Sequence, residues 1–397
     1  MTLIDNSFPR SKDGGRIAIP KMEWDRAPFN RWTFQHIREV LPTAEVWRGT
    51  GPVRNFNTHE NNLDALQVPK LDGHNVPLLP LLNDLYTDGF IVLHQGSLVY
   101  ERYFKGMSPR HAHLSQSVAK SVVGMTAGIL IDRGLLDPKQ HITHYLPELD
   151  HTGWKGAILQ QVLDMTTGVR FDETYTDPHS DIGQLDVASG WKPIPADADP
   201  SFQWPTDVWH QILDLKQTTR PHGTAFEYRS IETDVLAFAM ERVTGKRLHE
   251  IVSENIWQKL GIEESAYFTV DRAGYSIADG GFNATLRDYA RFGQMVLEGG
   301  QGIVPQTWID ETRKGNHSLF GEPYSITLPG GAYHNQFWIE DSISRNIMCR
   351  GVFGQLIYVD FANQMVVVKL ASQPDFVNPK MMMQSLKAIR TIAKALV

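Results

Sequence analysis

The chain has 397 residues, of which 42% are hydrophobic and 21% charged, a composition typical of a globular protein with one large composite domain or two lobes. The net charge of -7 and the absence of a Lys/Arg run argue against a nucleic acid partner. The single cysteine, Cys349, excludes an internal disulfide and a cysteine-rich metal site. No stretch has the length and apolarity of a signal-peptide core or a membrane span, so we expect a cytoplasmic protein that does not bind membranes.

The first third of the chain predicts an extended segment followed by a hairpin and a buried helix. Residues 1–80 are rich in Pro, Asn and Gly and are typical of a wrapping segment. Residues 90–104 contain two apolar runs around a turn at residues 95–97, which predicts a β-hairpin. An apolar helix is expected over residues 117–131, and the Arg-Gly pair at residues 133–134 is a typical helix stop.

The remainder of the chain predicts helices in the middle and strands near the end. Helices or helical fragments are expected at residues 158–165, 207–215, 233–244, 248–260, 285–298 and 381–397. Strands are expected at residues 355–360 and 365–371, because the second is rich in valine and a short turn separates the two. An N-terminal hairpin and C-terminal strands around a helical middle predict one antiparallel sheet interrupted by a helical insertion.

The most informative motif is Ser117-Val118-Ala119-Lys120 at the head of the first helix. Residues three apart on a helix are neighbours, so the lysine amine can reach the serine oxygen and accept its proton. The free N–H groups of a helix N-terminus can also stabilise a developing negative charge. An ordinary N-cap serine is the competing interpretation, and the tetrapeptide alone does not decide between them.

A second Ser-x-x-Lys tetrapeptide, Ser189-Gly190-Trp191-Lys192, occurs later in the chain. Chance should give about one such match in a chain of this length. The second match lies among Gly, Pro and Asp residues, and no apolar helix follows it. We therefore interpret it as a loop.

A serine-lysine pair requires a lysine that is neutral at working pH, so its pKa must be lowered from about 10.4 by burial or nearby positive charge. Lys120 lies inside an apolar helix, as this requires. A tyrosine could relay the proton, because its hydroxyl both donates and accepts. Tyr228, in Tyr228-Arg229-Ser230, is the candidate, although a lone tyrosine before a helix is more often a packing residue.

These residues together resemble a known superfamily. Ser117-x-x-Lys120 upstream of Tyr228-x-Ser230, on a sheet split by a helical insertion, is similar to the serine β-lactamases and penicillin-binding proteins, in their class C-like esterase branch. Within it, the chain most resembles the 6-aminohexanoate-dimer hydrolases, also called nylon-oligomer hydrolases. The similar segments are Asn30-Arg31-Trp32, Leu41-Pro42, Tyr145-Leu146-Pro147-Glu148-Leu149, Val162-Leu163-Asp164-Met165, Ser189-Gly190-Trp191, Thr233-Asp234-Val235-Leu236-Ala237, Glu241-Arg242-Val243-Thr244-Gly245 and Gly354-Gln355.

The resemblance implies an α+β fold of the β-lactamase/DD-peptidase type, with an antiparallel sheet flanked by helices and a mostly helical insertion. Residues 1–114 and 240–397 would form the α/β lobe, and residues 115–239 the mostly helical lobe that carries the motif residues. The active site would lie between the two lobes. No cofactor and no metal are implied; the pair His111 and His113 is more often part of a polar loop than a metal site.

The resemblance also implies a role for each motif residue. Ser117 would be the acylated nucleophile, Lys120 the general base, and Tyr228 the group that shares the proton and passes it to the leaving group. The backbone N–H groups of Ser117 and Val352 would form the oxyanion hole, whose donors act where charge develops in the transition state.

Four further residues are implied in substrate binding. Tyr175 would assist the leaving nitrogen of an amide, Asp186 would pair with a substrate ammonium, and Trp338 would form an aromatic wall. For these three the competing interpretation is a solvated loop residue or a core aromatic. Asp279 stands where the resembled enzymes have an uncharged amide, so a second negative charge would line the pocket.

Two other departures concern antibiotic recognition. The third lactamase motif, a basic residue followed by Thr-Gly, is absent, and Arg350-Gly351-Val352-Phe353-Gly354 lies in its place. Arg350 is the candidate substitute for the missing basic residue. Tyr228-Arg229-Ser230 also lacks the asparagine of the usual lactamase triplet. Both departures point away from penicillins.

The leading hypothesis is a cofactor-free serine hydrolase that cleaves small linear amides of the 6-aminohexanoate-dimer type, and esters, through an acyl-enzyme. A carboxylesterase with little amidase or β-lactamase activity is the first alternative, and a penicillin-binding sensor without turnover is the second. The expected partner is a small-molecule amide or ester, and the resemblance implies a homodimer. The sequence leaves the natural substrate open, because the pocket depends on loops at residues 166–227.

Overall fold

The computed structural model describes residue 15 and residues 17–396 of the chain. The strands are β1 (Thr43–Val46), β2 (Asn57–Thr58), β3 (Gln67–Pro69), β4 (Asn75–Pro77), β5 (Thr87–His94), β6 (Ser97–Tyr103), β7 (Ala112–Leu114), β8 (Ala266–Thr269), β9 (Phe282–Thr285), β10 (Ala332–His334), β11 (Phe337–Ile339), β12 (Ile347–Gly351), β13 (Gln355–Asp360) and β14 (Met365–Ala371). The helices are α1 (Asn30–Thr33), α2 (Leu78–Asp84), α3 (Val118–Asp132), α4 (Ile142–Tyr145), α5 (Leu159–Leu163), α6 (Asp181–Ala188), α7 (Val208–Asp214), α8 (Ile231–Thr244), α9 (Leu248–Asn255), α10 (Leu286–Leu297), α11 (Gln306–Thr312), α12 (Tyr324–Thr327) and α13 (Pro379–Leu396).

The main sheet has the strand order β10-β11-β12-β13-β14-β5-β6-β2. All its neighbouring pairs are antiparallel except β2 and β6. Between β5 and β6 the chain turns through Gln95 (φ 49°) and Gly96 (φ 77°), the left-handed pair that suits a two-residue hairpin turn. The predicted hairpin is therefore confirmed, and so are the predicted bounds of β13 and β14.

Helices cover both faces of this sheet because β14 is apolar on both sides. Val366 and Val368 pack in one core cluster with α3 and α10, whereas Met365 and Val367 pack in a second cluster with α13. Successive side chains of a strand point to opposite faces, so one valine-rich strand serves both layers. The result is an α+β sandwich of helix, sheet and helix.

The helix that follows Ser117 is buried on every side. Each residue of α3 from 118 to 130 is buried, and the helix packs against β11, β12 and β13 as well as α8 and α9. A Cβ atom on Gly128 would lie 2.3 Å from Trp308, so only glycine allows this close approach. An all-round apolar helix is typical of a protein core.

A second sheet, with the order β1-β8-β9-β7, was not predicted. Its strands are three or four residues long, and β8 and β9 are buried throughout, so they lack the alternation that marks a longer strand. The helix predicted at residues 248–260 ends earlier, at Asn255, and a 3-10 turn (Trp257–Lys259) follows.

The two-lobe division stays a proposal. Residues 115–239 form helices joined by loops, and the strands of the main sheet come from residues 57–103 and 332–371. Part of the predicted N-terminal wrapping segment lies outside the described residues. In the part of the chain that is described, no helix is long and apolar enough to cross a membrane.

Candidate active site

Ser117 and Lys120 contact each other at the N-terminus of α3. Lys120 Nζ donates a hydrogen bond of 3.0 Å to Ser117 Oγ. Ser117 occupies the N-cap position, but its hydroxyl makes no capping hydrogen bond to the helix. The interpretation of Ser117 as an ordinary N-cap side chain is therefore wrong. Its half-buried hydroxyl lines a cavity instead.

Lys120 is held by three further contacts. Its ammonium donates to Ser230 Oγ at 3.2 Å and to the backbone carbonyl of Asp279 at 2.5 Å. The Asp279 carboxylate lies 3.7 Å from the same nitrogen. The Lys120 side chain is only 1% exposed, so solvent screens these interactions little.

The pKa of Lys120 departs from its usual value in the direction opposite to the one predicted. Burial lowers this pKa, but nearby acidic groups outweigh burial and raise it above the usual lysine value. The groups with the largest effect are Tyr228 and Asp279, followed by Glu173 and Asp234. The sequence analysis considered only burial and positive charge. The expectation of a lowered pKa is therefore wrong for the resting protein.

Glu173 is a member of the site that the sequence analysis missed. Its carboxylate accepts hydrogen bonds from the Ser230 hydroxyl at 2.5 Å, the Ser230 N–H at 3.0 Å and the Tyr175 hydroxyl at 2.8 Å. Burial raises the pKa of Glu173, while Lys120 and these donors lower it. Glu173 thereby connects Tyr175 to the Ser230 hydroxyl that also contacts Lys120.

Tyr228 lies beside the serine-lysine pair, as predicted. Its ring centroid is 5.2 Å from Lys120 Nζ, and its ring stacks on Trp338 at a centroid distance of 5.4 Å. Its backbone N–H donates to the Tyr324 hydroxyl at 2.9 Å, which fixes the loop just before α8. Burial raises the pKa of the Tyr228 hydroxyl, and Lys120 and Ser117 act in the opposite direction.

The turn after β12 places Val352 on the wall of the same cavities that Ser117 lines. A Cβ atom on Gly351 would lie 2.5 Å from the carbonyl oxygen of Ser115, so the strand end touches the segment that leads into α3. In the described residues, the backbone N–H groups of Ser117 and Val352 have no hydrogen-bond acceptor. Two unpaired donors at cavities that the serine hydroxyl also lines are what the predicted oxyanion hole requires.

Two turns hold these backbone donors, the first leading into Ser117 and the second following β12. Each turn contains a left-handed residue that is not glycine. Gln116, just before Ser117, has φ 51°, and Phe353, just after Val352, has φ 61°. Such conformations persist only where the surroundings enforce them, and they concentrate at functional sites. The second turn is held by Gln355, whose side-chain amide donates to the Ala371 carbonyl at 2.6 Å, and by Lys369, whose Nζ donates to the Gly354 carbonyl at 3.2 Å.

Two cavities meet at this centre. The larger, of about 410 Å³, is lined by Tyr228, Trp338 and Arg350, while the smaller, of about 40 Å³, is lined by Asp186 and Asp279. Ser117, Tyr175, Val352 and Phe376 line both. The serine hydroxyl therefore faces an aromatic chamber on one side and an acidic chamber on the other.

Asp186 lies at the smaller cavity, but it already has a cationic partner. Lys192 Nζ lies 3.0 Å from Asp186 and 3.0 Å from Asp25. Burial raises the pKa of Asp186 to about 6, and Lys192 lowers it. Asp279 is buried, and burial raises its pKa while Lys120 lowers it. Tyr175 is also engaged, since its hydroxyl donates to Glu173.

The two histidines of the His-x-His pair differ in position, since His111 lies in the loop before β7 and His113 in the strand itself. His113 belongs to β7, is fully buried and lies 3.2 Å from the Asp88 carboxylate. In the described range, no group of three or more His, Cys, Asp or Glu side chains is arranged to hold a metal ion.

The family of the chain follows from comparison with known proteins. The sequence model of the beta-lactamase family matches residues 84–382, which include all the site residues described above except Asp25. The chain belongs to the beta-lactamase family. The predicted α+β fold class and the assignment as a serine hydrolase are confirmed.

Individual relatives narrow the position of the chain within the beta-lactamase family. A 6-aminohexanoate-dimer hydrolase from Paenarthrobacter ureafaciens is 35% identical over 92% of both chains. A solved structure from Bacillus anthracis, provisionally named a 6-aminohexanoate-dimer hydrolase, has a TM-score of 0.87 and 32% identity and covers 98% of both chains. EstCE1, a hydrolase with promiscuous acyltransferase activity, has a TM-score of 0.62 at 16% identity, over 79% of this chain and 98% of its own, and so shares the fold.

Proposed function

We propose that this protein hydrolyses small linear amides of the 6-aminohexanoate-dimer type, and esters, through an acyl-enzyme on Ser117. The observation that carries the proposal is the 3.0 Å contact between Lys120 Nζ and Ser117 Oγ beside two unpaired backbone donors. The similarity to the hydrolase from Paenarthrobacter ureafaciens supports the substrate class.

Acylation begins when neutral Lys120 removes the proton from Ser117. The Ser117 oxygen then attacks the substrate carbonyl carbon, and the negative charge moves to the carbonyl oxygen. The N–H groups of Ser117 and Val352 stabilise that oxygen. Their hydrogen bonds to it are stronger in the transition state than in the ground state, because the oxygen then carries more negative charge.

The leaving group departs with a proton from Tyr228, which regains a proton through Lys120. Deacylation reverses these roles: a water takes the place of the leaving group, its proton passes to the Tyr228-Lys120 pair, and its oxygen bonds to the acyl carbon. The bond between that carbon and the Ser117 oxygen then breaks, and Lys120 returns the proton to Ser117. All proton transfers use side chains of the chain itself, so we propose that the enzyme needs no cofactor.

The experiment that tests the proposal is amine release from the linear 6-aminohexanoate dimer, with a p-nitrophenyl ester as a second substrate. We expect Ser117→Ala to abolish both activities. Ser189→Ala is the matched control, because it removes the serine of the second Ser-x-x-Lys tetrapeptide. Normal turnover by Ser117→Ala would refute the serine mechanism.

A carboxylesterase with little amidase activity is the second candidate. The observation that favours it is that Asp186 is paired with Lys192 and the Tyr175 hydroxyl with Glu173. The groups that would hold a substrate ammonium and assist an amide nitrogen are thus engaged within the chain. Ester turnover by the wild type without amine release from the dimer would establish this candidate.

A stable covalent adduct with a β-lactam would distinguish a penicillin-binding sensor from both candidates. A sensor would retain a β-lactam covalently on Ser117, and mass spectrometry of the intact protein would detect the added mass. We expect no lasting adduct, because the basic Thr-Gly motif is replaced by Arg350-Gly351-Val352. A cytoplasmic location and a homodimeric state remain part of the proposal.

A further inference from the structure

Arg350 is a partly buried cation on the wall of the larger cavity, and it has no anionic partner among the described residues. Its guanidinium stacks on the Trp338 ring, 4.6 Å from the centroid, on the wall of the larger cavity. Among the described residues, this guanidinium has no ion pair and no hydrogen bond. By contrast, the buried Arg291 binds both Asp288 and Glu263, at 2.9 and 2.7 Å.

A partly buried charge that lacks a partner is unfavourable, because it loses hydration without gaining a counter-ion. Burial lowers the pKa of Arg350 to about 10, so the side chain is still cationic at neutral pH. Glu173 is an acidic residue that lines the same cavity, but its oxygens accept from Ser230 and Tyr175. The cavity therefore presents an uncompensated positive charge to whatever enters it.

The position of Tyr228 indicates which half of a substrate enters the larger cavity. Tyr228 lines the larger cavity and not the smaller one, whereas Ser117 and Val352 line both. The carbonyl carbon must lie at their junction, and the leaving atom must lie near the Tyr228 hydroxyl that gives it a proton. The leaving group therefore extends into the cavity that contains Arg350.

We propose that Arg350 binds a carboxylate on the leaving group of the substrate. The planar guanidinium can donate two parallel hydrogen bonds to a carboxylate, and stacking on Trp338 fixes its plane. Phe376, Val377 and Met382 supply apolar walls for the chain that links this carboxylate to the scissile bond. The preferred substrates are thus amides or esters of ω-amino or ω-hydroxy acids; the assignment of the leaving-group side depends on the proposed function.

The test compares substrates that differ only in this carboxylate. The amide pair is the linear 6-aminohexanoate dimer and its terminal carboxamide, and the ester pair is 6-acetoxyhexanoate and 6-acetoxyhexanamide. The measured quantity is the ratio of kcat/KM for the carboxylate to that for the carboxamide. Charge-assisted hydrogen bonds predict a ratio of about 10 to 100 for the wild type.

The ratio should fall to near 1 in Arg350→Met and to an intermediate value in Arg350→Lys, which keeps the charge but lacks the fork. Arg313→Met is the matched control, because Arg313 also stacks on an aromatic ring, Phe361, at 3.6 Å, outside both cavities. Thermal melting checks that each variant is folded. The ratio measured for the wild type tests the proposal even if a variant does not fold.

The outcomes separate this inference from the proposed function. A high wild-type ratio in the ester pair without amide turnover would support the role of Arg350 and refute the amidase. A wild-type ratio near 1 in whichever pair is cleaved, or a high ratio that survives in Arg350→Met, would overturn the role of Arg350. A wild type that cleaves neither pair would overturn both.

Discussion

The two Ser-x-x-Lys tetrapeptides of this chain occupy opposite ends of helices. Ser117 lies at the N-terminus of α3, where its hydroxyl accepts a hydrogen bond from Lys120. Ser189 lies at the C-terminus of α6, where its hydroxyl donates to the Asp186 carbonyl at 3.1 Å, and Lys192 binds Asp25 and Asp186. The same four-residue pattern thus places one serine beside free N–H groups and the other beside carbonyl groups.

This difference shows that the direction of the helix and the charges around the lysine, rather than the spacing, determine what a serine-lysine pair can do. A helix N-terminus favours negative charge and a C-terminus disfavours it. Lys192 is saturated by two carboxylates, whereas Lys120 touches the serine itself. Substitutions at the equivalent positions of the two tetrapeptides therefore test the comparison.

The largest expected effect is on catalysis by Lys120→Arg. Arginine cannot lose a proton near neutral pH, so this variant should lower kcat at least 1000-fold, roughly the contribution of a general base. Lys192→Arg is the same substitution at the equivalent position of the second tetrapeptide. We expect its kcat to stay within about tenfold of the wild-type value. Steady-state turnover of a p-nitrophenyl ester measures both, and comparable losses in the two variants would contradict the distinction drawn here.

The next largest effect concerns stability and belongs to the second tetrapeptide. Lys192→Met leaves the buried Asp25 and the partly buried Asp186 as neighbouring carboxylates without their cation, and breaking a buried pair in this way costs about 3–5 kcal/mol. Lys155→Met is the control, because the Lys155-Asp150 pair is more than half exposed on the lysine side and should contribute less than about 1 kcal/mol. Chemical denaturation gives both values; a Lys192→Met variant as stable as the control would contradict the prediction.

Tyr175→Phe sharpens the contrast between amide and ester chemistry at the first tetrapeptide. If Tyr175 assists the leaving nitrogen, the variant should lose about tenfold more kcat/KM for the dimer than for a p-nitrophenyl ester. Tyr145→Phe is the control, because the Tyr145 hydroxyl instead accepts from the N–H of Asp137 at 2.7 Å. Equal losses for the two substrates would show that Tyr175 only shapes the cavity.

The smallest expected effect is a displacement of the pH profile in Asp279→Asn. The pKa of Lys120 is raised in part by Asp279, and the reactive form of Lys120 is neutral, so wild-type kcat/KM should rise with pH as Lys120 loses its proton. Removing the carboxylate lowers this pKa, and the rising limb should move to lower pH. Asp132→Asn, at the exposed far end of α3, should leave the limb in place. A limb displaced to higher pH in Asp279→Asn would contradict the assignment.

The sequence predicted those parts of the molecule that depend on local patterns. The apolar run after Ser117 and the valine-rich β14 are long and continuous, and each was placed within one or two residues of its observed bounds. The four short strands of the second sheet were missed, because a run of three or four residues is too short to show a periodicity. Their pairing depends on partners far away in the chain, such as Thr43 with Thr269.

The same limit explains what was missed at the candidate site. Ser117, Lys120 and Tyr228 lie together as predicted from their motifs. Glu173 reaches the site through Ser230, 57 residues away, and no local pattern marks a glutamate in a polar loop for that contact. The direction of the Lys120 pKa shift was wrong for a related reason, since the groups that raise it, Tyr228 first and then three carboxyl groups, come from distant segments of the chain.

The enclosure of α3 on all sides has a consequence for the motions of the site. Amide hydrogens in a helix without a solvent-facing side can exchange only when neighbouring elements separate, so α3 should exchange at a rate set by global unfolding. The segment at residues 374–378 is partly exposed, its last three residues line the larger cavity, and it should exchange through local opening. We therefore expect slow exchange in the helix that follows the nucleophile and faster exchange in this part of the cavity wall.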